Sequence, residues 1–301
     1  MGKATHKRLE PRIKDKKAWK SAIILLTIMY FVYLLIGTLI RIYAPNFDRD
    51  LLLLLNPNEY ILILDELMVL ITDFSLFFGG FAMIWALIAF SIICKNSAKK
   101  EGVYKLTLLI GAITSIIFLI LSITNAWGRV YNTSTFILAP LMMLLFIFIG
   151  HLIQTRSADE LQNYRSVLFV ITIAALINVI LVDGLIKHTV MRSRPLQDPN
   201  SEWNEAIRTV ADEIVRSGLS FPSGHSSGLF VLLTPLMYYS DKRHKKILLF
   251  VAAAVHAISR VYLAAHFPLD IFFGSLSGFL IASIVYKILF KEERIDSIPS
   301  N

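Results

Sequence analysis

Eight blocks of predominantly apolar residues punctuate the sequence, near positions 21–40, 67–94, 104–125, 135–154, 166–186, 226–240, 247–265 and 269–290. An α-helix rising ~1.5 Å per residue needs about 20 residues to cross the hydrocarbon core of a bilayer. Lipid offers no partner to backbone N–H and C=O groups, so a segment placed there satisfies its own and becomes helical. The sixth and seventh blocks are short, and the eighth follows the seventh across a very tight turn. With 55% hydrophobic and 17% charged residues, the chain carries less charge than a soluble domain of 301 residues would. The expected fold class is all-α, a polytopic helical membrane bundle of about eight transmembrane helices.

The basic residues set an orientation. With the first tail placed in the cytoplasm, that side collects 21 of the 30 Lys and Arg residues, as the positive-inside bias requires. Both termini are then expected to be cytoplasmic. Topology and contact with anionic lipid account for the net charge of +8, and no nucleic-acid partner is needed. Met1 to Lys20 is a polar, basic tail, followed by a full-length apolar block without a small-residue cleavage site, unlike a secretory signal. His6 stands where a myristoylation signal wants Ser or Thr. Cys94 is the only cysteine, so neither an intrachain disulfide nor a Cys-based metal cluster can form.

Two outer segments are more than plain loops. Residues 46–66 mix Leu51 to Leu55 with Asn56, Pro57 and acidic residues, a composition suited to lying along the interface. Residues 203–216 place Trp203, Ile207, Val210 and Ile214 at helical spacing. That short amphipathic helix rests either on the membrane surface or on the protein itself. Ionisable residues inside spans are costly and call for partners. Asp183 lies one turn before Lys187 and is expected to pair with it. Asp73 has no evident partner, unless Arg129 at the end of the third span supplies one. His151 and His256 read as structural. Asn132-Thr-Ser is an outer-side sequon, meaningful only in a glycosylating cell.

Several of the basic residues that defy the orientation rule fall within a set of three outer segments: Lys187-His-Thr-Val-Met-Arg-Ser-Arg194-Pro195, Phe221-Pro-Ser223-Gly224-His225-Ser-Ser-Gly228, and Ser259-Arg260-Val-Tyr-Leu-Ala-Ala-His266-Phe-Pro-Leu-Asp270. Lys187, Arg194 and Arg260 are three cations, the arginines presenting planar forks suited to phosphate oxygens. Ser223 and Gly224 offer a hydroxyl and backbone N–H groups where a helix begins, a place that attracts anions. His225 and His266 are imidazoles able to act near neutral pH. Asp270, one helical turn after His266, is placed to orient it. Together they compose a phosphate pocket with a nucleophile, its orienter and a second acid–base group. His188 and Arg192, at variable positions within the first segment, are as suited to solvent as to substrate.

These segments resemble the three signature motifs of the type 2 phosphatidic acid phosphatase (PAP2) and vanadium haloperoxidase superfamily: Lys, six residues, Arg-Pro; Pro-Ser-Gly-His; and Ser-Arg, five residues, His, three residues, Asp. Each motif alone is weak, whereas all three in order on one side of a membrane form a specific signal. The resemblance spans about 187–270 and points to the membrane lipid phosphatase branch. It divides the chain into a cytoplasmic tail (1–20), N-terminal transmembrane helices 1–4 (21–165), a PAP2-like catalytic core (166–290) and a second cytoplasmic tail (291–301). It implies that His266 attacks phosphorus, that Asp270 holds its tautomer, and that His225 protonates the leaving alkoxide and then activates water. Lys187, Arg194, Ser223, Gly224 and Arg260 would bind the phosphate oxygens, with no cofactor and no metal.

The expected function is therefore a metal-independent phosphatase acting on a lipid phosphate monoester or diphosphate at the outer face of the plasma membrane. Phosphatidate, lysophosphatidate, phosphatidylglycerol phosphate, polyprenyl diphosphate and lipid A phosphate are candidate substrates, because the motifs read phosphate and not the tail. Two alternatives stand beside it: a non-catalytic lipid-binding or transport protein on the same fold, and a sugar-phosphate phosphatase or phosphotransferase.

Overall fold

In the computed structural model the described residues are 5–12, 14–59, 61–73, 79–123, 132–197, 206–210 and 218–296. Helix α1, Lys16–Tyr43, begins where the Asp15 carboxylate accepts from the N–H groups of Lys17 and Ala18, both at 3.0 Å. This is ordinary N-capping. Pro45, at a position where its missing N–H costs nothing, opens α2, Pro45–Leu55. Then come α3 (Leu62–Asp73), α4 (Gly79–Lys95), α5 (Lys100–Ile123) and α6 (Asn132–Thr155). Ser157 and Glu160 form a capping box that starts α7, Ala158–Asn178. That helix runs on through a π-helical stretch, Val179–Ile186, into α8, Lys187–Val190. The last three helices are α9 (Gly224–Tyr239), α10 (Arg243–Tyr262) and α11 (Pro268–Leu289).

Among the described residues, five segments are long and apolar enough to cross a membrane: Lys16–Tyr43, Ser97–Leu121, Phe136–Thr155, Ala158–Val190 and Pro268–Leu289. The chain is an integral membrane protein of the expected all-α class. The outward faces of these helices carry large apolar side chains, such as Phe31, Leu35 and Ile116. The sixth and seventh apolar blocks form α9 and α10. The second block contributes α3, as far as Asp73, and α4, from Gly79 onward, with 74–78 outside the described residues.

Buried side chains divide the bundle. One cluster joins α1, through Met29, Tyr33 and Ile40, to Val170 of α7, Val231 of α9 and Ile281 of α11. A second gathers α4, α5 and α6 around Phe90, Met142 and Phe146. The segment expected along the interface packs one face on the protein and leaves Phe47, Leu54 and Ile63 exposed. Leu52 of α2 is buried against Ala257, Val261 and Phe267, because a leucine run beside a bundle end gains more from packing than from a half-wet surface. Of the 203–216 segment, Trp203 and Ile214 lie outside the described residues. Ile207 and Val210 are buried against the protein. Arg208 there grips Asp65 with both nitrogens of its fork, at 2.9 and 2.8 Å.

The tails, expected to be plain polar segments, hold strands: β1, Thr5–Pro11, pairs antiparallel with β2, Phe290–Asp296. The register sets Leu9 opposite Glu292 and Glu10 opposite Lys291.

Helices α9 and α11 approach unusually closely. A Cβ at Gly278 would sit 2.8 Å from the carbonyl carbon of Ser227, and one at Gly274 only 2.5 Å from the Ser223 carbonyl oxygen. Two glycines one turn apart let the backbones meet, a recurrent device where helices pack in lipid. Gly278→Leu, which leaves every polar site group in place, is expected to destabilise the fold by about 1–3 kcal/mol through overpacking. A lowered thermal unfolding midpoint in detergent would register it.

Candidate active site

All three motifs arrive at one end of the bundle. Motif one closes α8 and enters the link to α9. Motif two begins α9, and motif three covers the end of α10, the turn after it and the first turn of α11. Since α9 leaves this end, α10 returns to it and α11 leaves again, Lys242, Arg243 and Lys287 fall at the opposite end, with the β-strands.

The motifs are tied pairwise by hydrogen bonds. Ser220 N–H donates to the Arg192 carbonyl at 2.7 Å, fastening the approach to motif two onto motif one. Ser223 N–H donates to the Asp270 carbonyl at 3.0 Å, joining motif two to motif three. The Arg194 guanidinium donates to the Ala265 carbonyl at 2.9 Å, joining motif one to motif three. Lys187 donates to Asp183 at 2.7 Å, the pairing expected from their spacing. Gly224 presses against that same carboxylate so closely that a Cβ would overlap it.

Among the described residues, two backbone positions are left-handed without being glycine: Met191, with φ of 54°, and Ala264, with φ of 51°. Such residues cost ~1–2 kcal/mol relative to right-handed backbone and concentrate at functional sites. Met191 ends α8, and the Arg41 side chain caps it by donating to the Val190 carbonyl at 2.9 Å. Ala264 makes the tight turn in which the Arg260 carbonyl accepts from Ala265 and His266, at 2.9 and 3.2 Å. That turn aims His266 back over the bundle end.

His266 is 1% exposed and Asp270 fully buried. The imidazole turns Nδ1 toward Ser220 Oγ, at 3.3 Å, and toward Asp270 Oδ2, at 3.8 Å. Among the described residues its Nε2 is buried and has no hydrogen-bond partner. Burial is the main force pushing this ring down to about 3, and the Arg194 and Arg260 charges act in the same direction against Asp270. The ring is therefore neutral across the physiological range, with a lone pair on one nitrogen. Arg260 is completely buried. Ser223 caps α9, accepting from the N–H and hydroxyl of Ser226 at 3.3 and 3.0 Å. His225 is half-buried, its ring stacked on His256 at 6.3 Å and 24°. His256, as expected, has a structural contact, from Nδ1 to the Ile71 carbonyl at 3.1 Å.

Three residues at this end were not legible beforehand. Arg192, expected to be as open to solvent as to substrate, is 5% exposed. It sits between two carboxylates, 2.7 Å from Asp270 Oδ1 and 2.7 Å from Asp48 Oδ2. Asp48 comes from α2 and is fully buried. Burial, seconded by the Asp270 charge, pushes its carboxyl up to about 6 despite Arg192. Ser220 donates to Asp270 Oδ2 at 2.5 Å. His188 is exposed. The side chain of Asp73, and all of Asn125 and Arg129, lie outside the described residues, as does the side chain of the sequon's Asn132.

Residues 163–294 match the family model of the PAP2 superfamily. That stretch, a little under half of the chain, is similar to PAP2 proteins. All eight expected site residues fall within it, and Asp48 does not. Over 114 residues, or 34% of this chain, the sequence is 34% identical to phosphatidylglycerophosphatase B of Bacillus subtilis, covering 56% of that relative. Over 181 residues, 54% of this chain, it is 28% identical to a PA-phosphatase related-family protein of Dictyostelium discoideum, covering 63% of it. The chain thus spans less than two thirds of either curated relative. Among solved structures it is similar to LpxE of Aquifex aeolicus, with 25% identity, a TM-score of 0.36, and coverage of 61% of this chain and 93% of that one. It is also similar to the PAP2-type phosphatidylglycerolphosphate phosphatase of Bacillus subtilis, with 23% identity, a TM-score of 0.32, and coverage of 68% and 92%.

The depressed His266 has a stability consequence. Folded, the ring titrates near 3; unfolded, it titrates near the ordinary ~6.5. Between those values the unfolded chain binds the extra proton, so this group makes the fold lose stability as pH falls. Relative to wild type, His266→Ala should therefore gain stability from pH 7 toward pH 4, at a rate no steeper than ~1.4 kcal/mol per pH unit. Paired unfolding midpoints at each pH isolate this difference, because Asp48 and the other groups are common to both proteins.

Proposed function

We propose that this protein is a phosphatase of lipid phosphate monoesters or diphosphates, working through a phosphohistidine on His266 without a metal ion. The observation that carries the reading is the setting of that ring: buried, held at Nδ1 beside Ser220 and Asp270, with the opposite nitrogen unengaged among the described residues. A neutral imidazole oriented through one nitrogen is a nucleophile at the other.

On this reading His266 Nε2 attacks phosphorus. The P–O bond to the leaving group breaks, and His225 gives the departing alkoxide its proton. Water then attacks the phosphohistidine while His225 takes a proton back, releasing inorganic phosphate and restoring His266. Asp270 stabilises the charge that His266 acquires. Lys187, Arg194 and Arg260, with the Ser223 hydroxyl and the Gly224 N–H at the start of α9, hold the non-bridging oxygens as charge spreads over them. Cationic side chains thus take the part a magnesium ion plays in many phosphoryl-transfer sites.

The orientation bias places this end of the bundle at the outer face of the cell membrane, with both tails cytoplasmic. There a lipid headgroup can enter the pocket while its tails stay in the bilayer. Phosphatidate, phosphatidylglycerol phosphate and polyprenyl diphosphate are the substrates proposed. The PAP2-like catalytic core would extend over 166–290, and the earlier helices would flank it.

The test is phosphate release by the detergent-purified protein, with EDTA present, across those three lipids and glucose 6-phosphate. Release from a lipid is expected to be lost in His266→Ala and inhibited competitively by vanadate. His225→Ala should lower the rate by about 10²–10⁴-fold for alkyl monoesters, and least for aryl phosphates, whose leaving groups need no proton. Full activity in His266→Ala would refute the mechanism. Folded protein that releases no phosphate from any of the four would point to the non-catalytic alternative.

A further inference from the structure

We propose that Asp48, from a helix outside the PAP2-like stretch, and Arg192, at a variable position of motif one, are positioning residues that hold Asp270 and through it His266. This inference rests on the phosphohistidine reading above.

The geometry centres on four carboxylate oxygens. Asp270 Oδ1 accepts from Arg192 Nη1 at 2.7 Å. Asp270 Oδ2 accepts from Ser220 Oγ at 2.5 Å and from the Phe267 N–H at 2.9 Å, and faces His266 Nδ1 at 3.8 Å. Asp48 Oδ2 lies 2.7 Å from the same Arg192 nitrogen, while Asp48 Oδ1 accepts from the Leu269 N–H at 2.8 Å. The guanidinium also stacks over the Phe267 ring, 4.2 Å from its centre. Asp48 therefore grips both supports of the orienting carboxylate: the arginine that binds it and the first turn of α11 that carries it.

The charges give this arrangement a chemical effect beyond fastening. Arg192 is shared between two buried carboxylates, so Asp270 is only partly neutralised and keeps electron density for the cation that His266 becomes in phosphoryl transfer. Without the Asp48 charge, Arg192 belongs to Asp270 alone, and its pull opposes that role. An amide at position 48 that still accepts from the Leu269 N–H through its oxygen turns its NH2 toward Arg192 and lets go of the guanidinium. Both changes reach the nucleophile and neither touches the phosphate-binding cations, so the loss belongs in kcat and not in KM. A buried ion network that served only to fasten α2 to the bundle would change stability and leave the turnover of folded molecules alone.

The experiment is steady-state phosphate release from phosphatidate in mixed micelles by the full chain, with rates expressed per folded molecule. Wild type, Asp48→Asn, Asp48→Glu and Arg192→Lys are compared, with His266→Ala as the reference for chemistry. Asp48→Asn should lower kcat by about 10- to 100-fold, the scale of a small misplacement of a catalytic group, with KM within about threefold of wild type. Asp48→Glu, which keeps the charge, should recover part of the loss. Arg192→Lys keeps a cation but not the stacked fork, and should reproduce the kcat defect; it carries the test where the asparagine variant does not fold. A kcat within about twofold of wild type in Asp48→Asn or Arg192→Lys, or a change confined to KM, would overturn the positioning role while an inactive His266→Ala left the phosphohistidine reading standing. An inactive wild type would bring down both, and an active His266→Ala would bring down the mechanism first.

Discussion

Burying the Asp270 carboxylate at the end of a helical bundle costs several kcal/mol unless both oxygens and the charge find partners. The way those partners are found organises the whole site. Arg192 comes from motif one and Ser220 from the approach to motif two, while the Phe267 N–H belongs to motif three itself. The Asp270 backbone carbonyl holds the Ser223 N–H at the start of α9. Segments far apart in sequence are drawn to one residue because any defect there would leave an uncompensated charge out of water. The tight turn through Ala264 then has one function left, which is to set His266 against that carboxylate.

The apolar spans were legible because lipid imposes a length and a composition on every helix, and the positions of α1, α5, α6, α7 and α11 followed. The three motifs were legible because each is local: Lys187 to Arg194, Pro222 to His225, Ser259 to Asp270. The Asp183–Lys187 pair was legible for the same reason, being one helical turn. Arg192 was not, although it stands two residues before Arg194, because nothing in its own segment says which carboxylate it meets. Asp48 looked like one more acid in a mixed outer segment. Its partners, Arg192 and Leu269, lie far along the chain, and no periodicity connects them. The strands β1 and β2 were hidden by the same distance, and by a charge-rich composition that reads as a solvated tail.

The packing also corrects a simple division into flank and core. α1 lies at the N-terminal end of the chain, yet its Met29, Tyr33 and Ile40 share a cluster with α7, α9 and α11. Gly37 of α1 meets the Phe221 ring at the approach to motif two, with no room for a Cβ. Helices α4, α5 and α6 form a separate cluster around Phe146. A function-bearing end is therefore supported from two directions, by α1 along the bundle and by α2 across its mouth, while the middle of the chain builds a body of its own.

The pairing of β1 with β2 gives the molecule a property that no single helix has. It joins the segment before the first helix to the segment after the last, so the path of the chain closes on itself like a ring with a clasp. During synthesis β1 emerges first and must wait as an unpaired edge until α11 is in place, because only then does β2 exist to meet it. The clasp can form only after every intervening segment has been synthesised. Closure of this kind reports completion: a molecule whose helices stalled partway would betray itself by an open strand at the face away from its chemistry.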